Sequence, residues 1–277
     1  MKITYCGYDF FHACLEELLV AGMDVYRVFT VPCDNRVNFN QYIYQLCEKY
    51  KIPVSEELIT EDTIEQLQTA GCELLISAAY NYKIPSLSAT RIKGINIHPT
   101  LLPIGRGVWP LPWTILTDQK QSGVSIHKLT EEYDAGDILI QRSFPVAPDE
   151  RLESLSAKVQ LLARNMILDV ALNFEHYWGT AVAQSGDIII WNYPPKEQRT
   201  LSWEKNVGEL DRICRAFGKF GCFATFENNN WTVYGLSAWE QSHNFTIGSV
   251  VHKTNTEMIV AARDGLVSLL YFEPDLT

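Results

Sequence analysis

The chain has no block of lysine and arginine, no CxxC pair and no apolar run of the roughly 20 residues that a bilayer demands. Each absence removes a class of function. Lys and Arg number 23 against 33 Asp and Glu, a net charge of −10. Affinity for nucleic acid rests largely on neutralising phosphates, so this balance argues against a nucleic-acid substrate. The seven cysteines (Cys6, Cys14, Cys33, Cys47, Cys72, Cys214 and Cys222) are odd in number and scattered. They read as reduced, mostly buried thiols, not as a disulfide framework or a zinc site. GxxxxGK[ST], HExxH and GxSxG are all missing, and no glycine-rich turn follows the first strand. No metal is expected. The opening MKITYCGYDF runs directly into a strand without a signal-peptide core, so no membrane association and a cytoplasmic location are expected.

What is present is a foldable pattern. The 277 residues are 47% hydrophobic, enough for one large domain or a larger and a smaller one. KITYCG, DVYRVFTV, ELLISAAY and GINIH read as strands, and IPVSEEL as a short extended piece. FFHACLEELLVAG, NFNQYIYQLCEKY and TEDTIEQLQTAG read as helices between them. Gly22 closes the first helix as a C′ residue. Tyr42, Leu46 and Tyr50 mark the apolar face of the second, and Thr60 or Glu61 caps the third. The alternation predicts an α/β fold: a Rossmann-like, mostly parallel sheet with helices on both faces. GVSIHKL and DILIQRSFPV add an antiparallel pair, and 150–179 reads as one long amphipathic helix with Leu155, Val159, Leu162, Met166 and Val170 inward. Composition shifts at QSGDIIIWNYPPKEQRT, where Pro194 and Pro195 mark a linker. One helix and five short strands follow, which suggests a small OB-like β-barrel. The expected division is a catalytic domain over 1–184, a linker over 185–200 and a small β domain over 201–277.

The segment from Gly94 to Asp137 holds the chemistry. Asn96 and His98 stand two apart at the end of a strand stopped by Pro99, so both side chains leave one face. Ligands of such sheets bind beyond the carboxyl ends of the strands, where AAY and NIH bring Tyr80, Asn81, Asn96 and His98 together. Asp134 and Asp137 both lie in a glycine-bearing turn, and spacing alone does not choose between them. An amide, an imidazole and a carboxylate suit acyl transfer: one polarises a carbonyl, one moves protons, one orients the imidazole. His127 reads as a half-buried sheet histidine, and His12, His176, His243 and His252 have no partner pattern. Arg106 is a candidate for binding phosphate or carboxylate. Trp109 and Trp113, with Pro110 and Pro112, are either core or a stacking platform for a ring.

NIHPTLLP, an SGV hairpin and a distant DAGDIL together resemble the folate-dependent formyltransferases, over essentially the whole chain. That superfamily includes glycinamide ribonucleotide, methionyl-tRNA and nucleotide-sugar N-formyltransferases. The resemblance implies N10-formyltetrahydrofolate as co-substrate and Asn96, His98 and Asp134 as the catalytic set. It implies folate binding by Tyr80, Asn81, Tyr82, Lys83 and Ile84 and by Thr130, Glu131 and Tyr133. RAFGKFGCFATF with VYGLSA resembles the start of the carboxy-terminal barrel of the methionyl-tRNA and sugar enzymes. The opening segment and FTVPCDN look more like the sugar enzymes, because one arginine stands where methionyl-tRNA enzymes carry a basic insertion. A nucleotide-linked aminosugar is therefore the expected acceptor, with Arg106, Gly107 and Trp109 near it. The implied setting is bacterial surface-glycan or lipopolysaccharide precursor synthesis, and a homodimer by analogy. Methionyl-tRNA formylation and a non-catalytic folate- or nucleotide-binding module are the alternatives. In the expected mechanism Asp134 orients His98 and raises its pKa.

Overall fold

The computed structural model describes residues 1–34, 38–254 and 256–274. Arg36, the arginine noted after the second strand, lies outside the described residues. In chain order the elements run β1 (Lys2–Gly7), α1 (His12–Val20), β2 (Asp24–Phe29), α2 (Gln41–Tyr50), β3 (Val54–Ser55), α3 (Glu61–Thr69), β4 (Leu74–Ala78), β5 (Lys93–His98), β6 (Ile104–Arg106), α4 (Pro110–Leu116), β7 (Gln121–Lys128) and β8 (Ile138–Pro145). They continue as α5 (Leu152–Leu172), α6 (Phe174–Gly179), β9 (Ile189–Ile190), β10 (Thr200–Leu201), α7 (Val207–Phe217), β11 (Cys222–Phe226), β12 (Asn229–Glu240), β13 (Val250–Lys253), β14 (Met258–Ala262) and β15 (Gly265–Pro274). The chain forms two compact units. The first comprises Met1–Gly107, Gln121–Phe144 and Ala157–Ile190; the second comprises Val108–Lys120, Pro145–Ser156 and Trp191–Thr277.

The first unit is built on a seven-stranded sheet of order β3-β2-β1-β4-β5-β7-β8. β1, β2, β3, β4 and β5 pair in parallel, and β7 runs antiparallel to β5. β1 and β4 are buried along nearly their whole length because both faces are covered, as a central parallel strand requires. Gly7 is needed where they meet: a Cβ there would sit 2.2 Å from the Ala78 carbonyl oxygen. Gly22 ends α1 at φ 76°, and the Met23 and Gly22 amides reach back to the Leu18 and Leu19 carbonyls, a Schellman closure. Thr60 caps α3 in a reciprocal box with Thr63.

Two helices depart from the expected pattern. α2 buries Ile43, Leu46 and Cys47, whereas Tyr42 is 55% exposed and stacks on His12. The Asp9 carboxylate accepts from the Tyr42 and Ile43 amides at the start of α2, and the aliphatic Ile43 takes the inward place while the tyrosine keeps its hydroxyl near water. The long helix expected over 150–179 is two helices, α5 and α6, broken at Asn173. The Asn173 side chain donates to the Asp169 carbonyl and carboxylate, competing with the helical ladder. Leu155, Val159, Met166 and Val170 are buried; Leu162 is half-buried, and Ala163 and Ile167 complete the inner face.

The second unit carries a six-stranded sheet of order β10-β11-β12-β15-β14-β13, antiparallel except for the two-residue β10 beside β11. α7 starts in a capping box between Asn206 and Glu209 and buries Val207, Leu210, Ile213, Cys214 and Phe217. Cys6, Cys14, Cys47, Cys72, Cys214 and Cys222 are buried thiols, and Cys33 is half-buried. Among the described residues no helix is long and apolar enough to cross a membrane.

Candidate active site

β5 carries Asn96 and His98 at its carboxyl end, and β7 lies beside it with Asn96 opposite His127 and His98 opposite Ser125. Paired residues of an antiparallel ladder share a face, so His127 stands directly across from Asn96. The turn after β7 brings in Asp134. That turn is shaped by two backbone demands. Asp134 adopts φ 53°, a left-handed conformation that aspartate tolerates better than most residues. Gly136 passes so close to β7 that a Cβ would lie 2.0 Å from the Lys128 carbonyl oxygen.

Asp134 is the hub. Its Oδ1 accepts from Asn96 Nδ2 at 3.2 Å, with His98 Nδ1 at 3.4 Å and His127 Nε2 at 3.5 Å. Its Oδ2 accepts from the Gly107 amide at 2.8 Å. Asn96 Nδ2 also reaches His127 Nε2 at 3.1 Å. His98 is 4% exposed, and its Nε2 donates to the Gly105 carbonyl at 2.7 Å, since a carbonyl only accepts. That bond assigns the proton of the neutral ring to Nε2 and leaves the Nδ1 lone pair beside Asp134. Ser125 holds the loop after His98: its hydroxyl donates to the Thr100 carbonyl at 2.6 Å and accepts from the Leu102 amide at 3.1 Å.

Burial opposes ionisation of Asp134, but the His98 ring, His127 and the Gly107 amide outweigh it and hold the carboxyl down at about 2. For His98 the expected direction is corrected. Burial pulls the imidazole below its ordinary value, and His127 adds to this; the Asp134 charge and the Gly105 carbonyl oppose without prevailing. Burial thus favours a neutral His98 ring whose Nδ1 is open to a proton beside a carboxylate. Among the described residues no cluster of three or more His, Cys, Asp or Glu is arranged to hold a metal ion.

The loops expected to hold folate lie together. Lys83 Nζ stands 6.0 Å from the centre of the Tyr133 ring, joining the 80–84 loop to the 130–134 loop. Asn81, Tyr82, Lys83, Thr130, Glu131 and Tyr133 are exposed. Tyr80 turns inward instead, joining a cluster with Cys6, Phe29 and Leu75, against which Ile84 is partly buried. Burial pushes the Tyr80 hydroxyl up to about 12. Thr130 Oγ1 donates to the Glu132 carbonyl at 2.8 Å and so closes its own turn.

Arg106 is buried, and its guanidinium is already engaged: Nε and Nη2 donate to Gln184 Oε1 at 3.0 and 2.8 Å, and Nη1 faces Glu132 at 3.4 Å. Gly107 gives its amide to Asp134 at φ 104°. Trp109 belongs to the second unit. There it packs on Tyr193 and Phe220 at ring separations of 4.6 and 4.5 Å, with the Arg199 guanidinium 5.7 Å from its ring. Trp113 Nε1 donates to the Asn192 carbonyl at 2.8 Å, a structural use.

Two residues of the site escape a linear reading. His127 has the correct parity to face Asn96, but only knowledge that β5 pairs with β7 reveals it, and 22 residues separate those strands. Gln184 carries no local signal at all; it comes to the Asp134 turn from 50 residues downstream.

The fold of this chain has known counterparts. The formyl transferase family profile matches residues 10–171, and the profile of the formyl transferase C-terminal domain matches residues 195–275. The chain belongs to the formyl transferase family. Among curated relatives, the methionyl-tRNA formyltransferase of Lactobacillus gasseri is 25% identical, covering 96% of this chain and 88% of that one. Among solved structures, HypX from Aquifex aeolicus in complex with tetrahydrofolic acid superposes with TM-score 0.72 at 21% identity, over 99% of this chain. This chain spans only 44% of the HypX chain. The N-formyltransferase from Helicobacter canadensis, solved with folinic acid and dTDP-3-aminofucose, superposes with TM-score 0.70 at 15% identity, over 99% of this chain and 100% of that one. Membership makes the chain a formyltransferase; the amine it formylates is a separate question.

Proposed function

We propose that this chain transfers a formyl group from N10-formyltetrahydrofolate to the amino group of a nucleotide-linked aminosugar. The observation that carries the transfer step is the convergence of Asn96 and His98 on the Asp134 carboxylate. Bound in the site, the donor supplies an activated one-carbon carbonyl. Asn96 turns one N–H from His127 towards the formyl oxygen and stabilises the charge that gathers there; loss of one such donor typically costs a hundred- to a thousandfold in rate, roughly. His98, neutral at rest, takes the proton of the attacking amine at Nδ1 and returns it to the departing nitrogen. Asp134 balances the imidazolium between these events. The 80–84 and 130–134 loops would hold the donor: they are joined through Lys83 and Tyr133, and they expose Tyr82 and Tyr133 to a flat ring.

The acceptor is inferred from charge and extent. Acidic side chains outnumber basic ones by ten over the whole chain. Beyond Trp191 there are ten Asp and Glu against eight Lys and Arg, so the carboxy-terminal segment offers no basic excess for tRNA phosphates. The chain also spans the full length of the Helicobacter canadensis enzyme, whose structure holds an aminosugar nucleotide. Methionyl-tRNA is the second reading, favoured by a match over 96% of this chain to an enzyme of that name.

One screen separates them. The protein is incubated with N10-formyltetrahydrofolate and either a panel of aminosugar nucleotides or methionyl-tRNA, and products are read by mass spectrometry. Gain of one formyl group on an aminosugar is the expected result. Formylation of methionyl-tRNA alone would replace the proposal with the second reading.

A further inference from the structure

Gln184 sits in a stretch held on both sides. Val182 forms a two-way backbone bridge with Ile138 at 2.8 and 3.0 Å, and β9 pairs with β6 beyond it. From this support its side chain makes four hydrogen bonds. Nε2 donates to the carbonyl of Asp134 at 2.7 Å and to that of Gly136 at 2.9 Å. Oε1 accepts from Arg106 Nε at 3.0 Å and Nη2 at 2.8 Å. The amide cannot be reversed, since its NH₂ would then face a guanidinium and its oxygen two carbonyls. Two donors and two acceptors on one planar group are a property of glutamine and asparagine alone, and asparagine is one methylene shorter.

The four bonds close a ring around the carboxylate. Gln184 grips the Asp134 peptide on one side and the Arg106 side chain on the other, and the next residue, Gly107, gives its amide to Asp134 Oδ2. We propose that Gln184 is a positioning residue of this formyltransferase: it locks the left-handed Asp134 turn and the Arg106–Gly107 backbone together, so that the carboxylate stays on His98 and Asn96. Arg106 accordingly serves as the clamp's second jaw. The inference rests on reading Asp134 as a member of the reacting set.

The test of the clamp itself needs no acceptor substrate; only the check on the reading it rests on does. Amide exchange of Gly107 and the titration of the His98 ring are followed by NMR in the wild type, Gln184→Met, Arg106→Met and Asp134→Asn. In Gln184→Met the Gly107 amide should exchange about tenfold faster, as for a weakened hydrogen bond. The His98 titration should move in the same direction as in Asp134→Asn. The amides of β4 and the melting temperature should stay near wild type, which a general destabilisation would not allow. Arg106→Met removes one jaw only and should give a smaller change of the same sign, and it serves alone if Gln184→Met does not fold. An unmoved Gly107 amide and His98 titration in the folded variants would overturn the proposal. Formyl transfer by Asp134→Asn at the wild-type rate would instead remove the reading it rests on, leaving the clamp as geometry.

Discussion

Asp134→Asn removes the charge at the centre of the site. The asparagine keeps an oxygen for the Gly107 amide, which now binds Oδ2 at 2.8 Å, so the turn retains its anchor. Its NH₂ then takes the place of Oδ1, facing His98 Nδ1 at 3.4 Å and costing Asn96 Nδ2 the acceptor it has at 3.2 Å. Two consequences act in one direction. The NH₂ donates to the Nδ1 lone pair and occupies the atom that should accept a proton. The imidazolium formed during transfer also loses its counter-charge. At 3.4 Å and an effective dielectric constant of about 20, that attraction is about 5 kcal/mol. If half of it is realised, kcat falls about 70-fold; if all of it is, about 5,000-fold. The assay is the initial rate of formyl transfer at saturating donor and acceptor across pH. Burial keeps His98 below its ordinary value, so the base form persists and the acid limb of the wild-type kcat profile should lie below about pH 6.5. In the variant, loss of the Asp134 charge lowers His98 further and moves that limb to still lower pH. A kcat within threefold of wild type, or an acid limb above about pH 6.5, would refute the reasoning.

Three further outcomes follow from the packing. His98 is depressed in the folded protein, so the unfolded chain binds more protons below about pH 6.5; stability should be lost as pH falls through that window, and His98→Gln should flatten the slope in urea titrations at pH 7.5 and 5.5. Gly136→Ala places a Cβ 2.0 Å from the Lys128 carbonyl, and should cost roughly 1–3 kcal/mol or more together with most of the activity; wild-type melting would contradict the close approach. Ile43→Ala should destabilise by about 2–5 kcal/mol, whereas Tyr42→Ala should stay near 0.5 kcal/mol or less, roughly; the reverse order would restore the face read from sequence.

The strands of the main sheet and the Asn96–His98 pair were legible because their signal is local. A period of two, a stop at Pro99 and continuous apolar runs are all contained within a few residues. The buried face of α2 is not legible in the spacing, because tyrosine counts as apolar in a periodicity, yet Tyr42 packs its ring on His12 and leaves Ile43 to the core. The break at Asn173 depends on a side chain competing for a backbone carbonyl, which helical spacing does not register. The lowered His98 pKa is not legible in the sequence: a neighbouring aspartate is visible as a motif, whereas burial of the ring is a property of the packed sheet. His127 and Gln184 enter the site through pairings with residues tens of positions away, and no linear spacing encodes those.

The central claim is that Asn96 and His98 act on the formyl group while other residues hold its donor. The direct test is the turnover of Asn96→Ala and His98→Ala with N10-formyltetrahydrofolate and the amine that the wild type formylates, alongside tetrahydrofolate binding by calorimetry. Turnover should fall by about 100- to 1,000-fold or more, with folate binding within a few-fold of wild type. Near wild-type turnover in either variant would contradict the account.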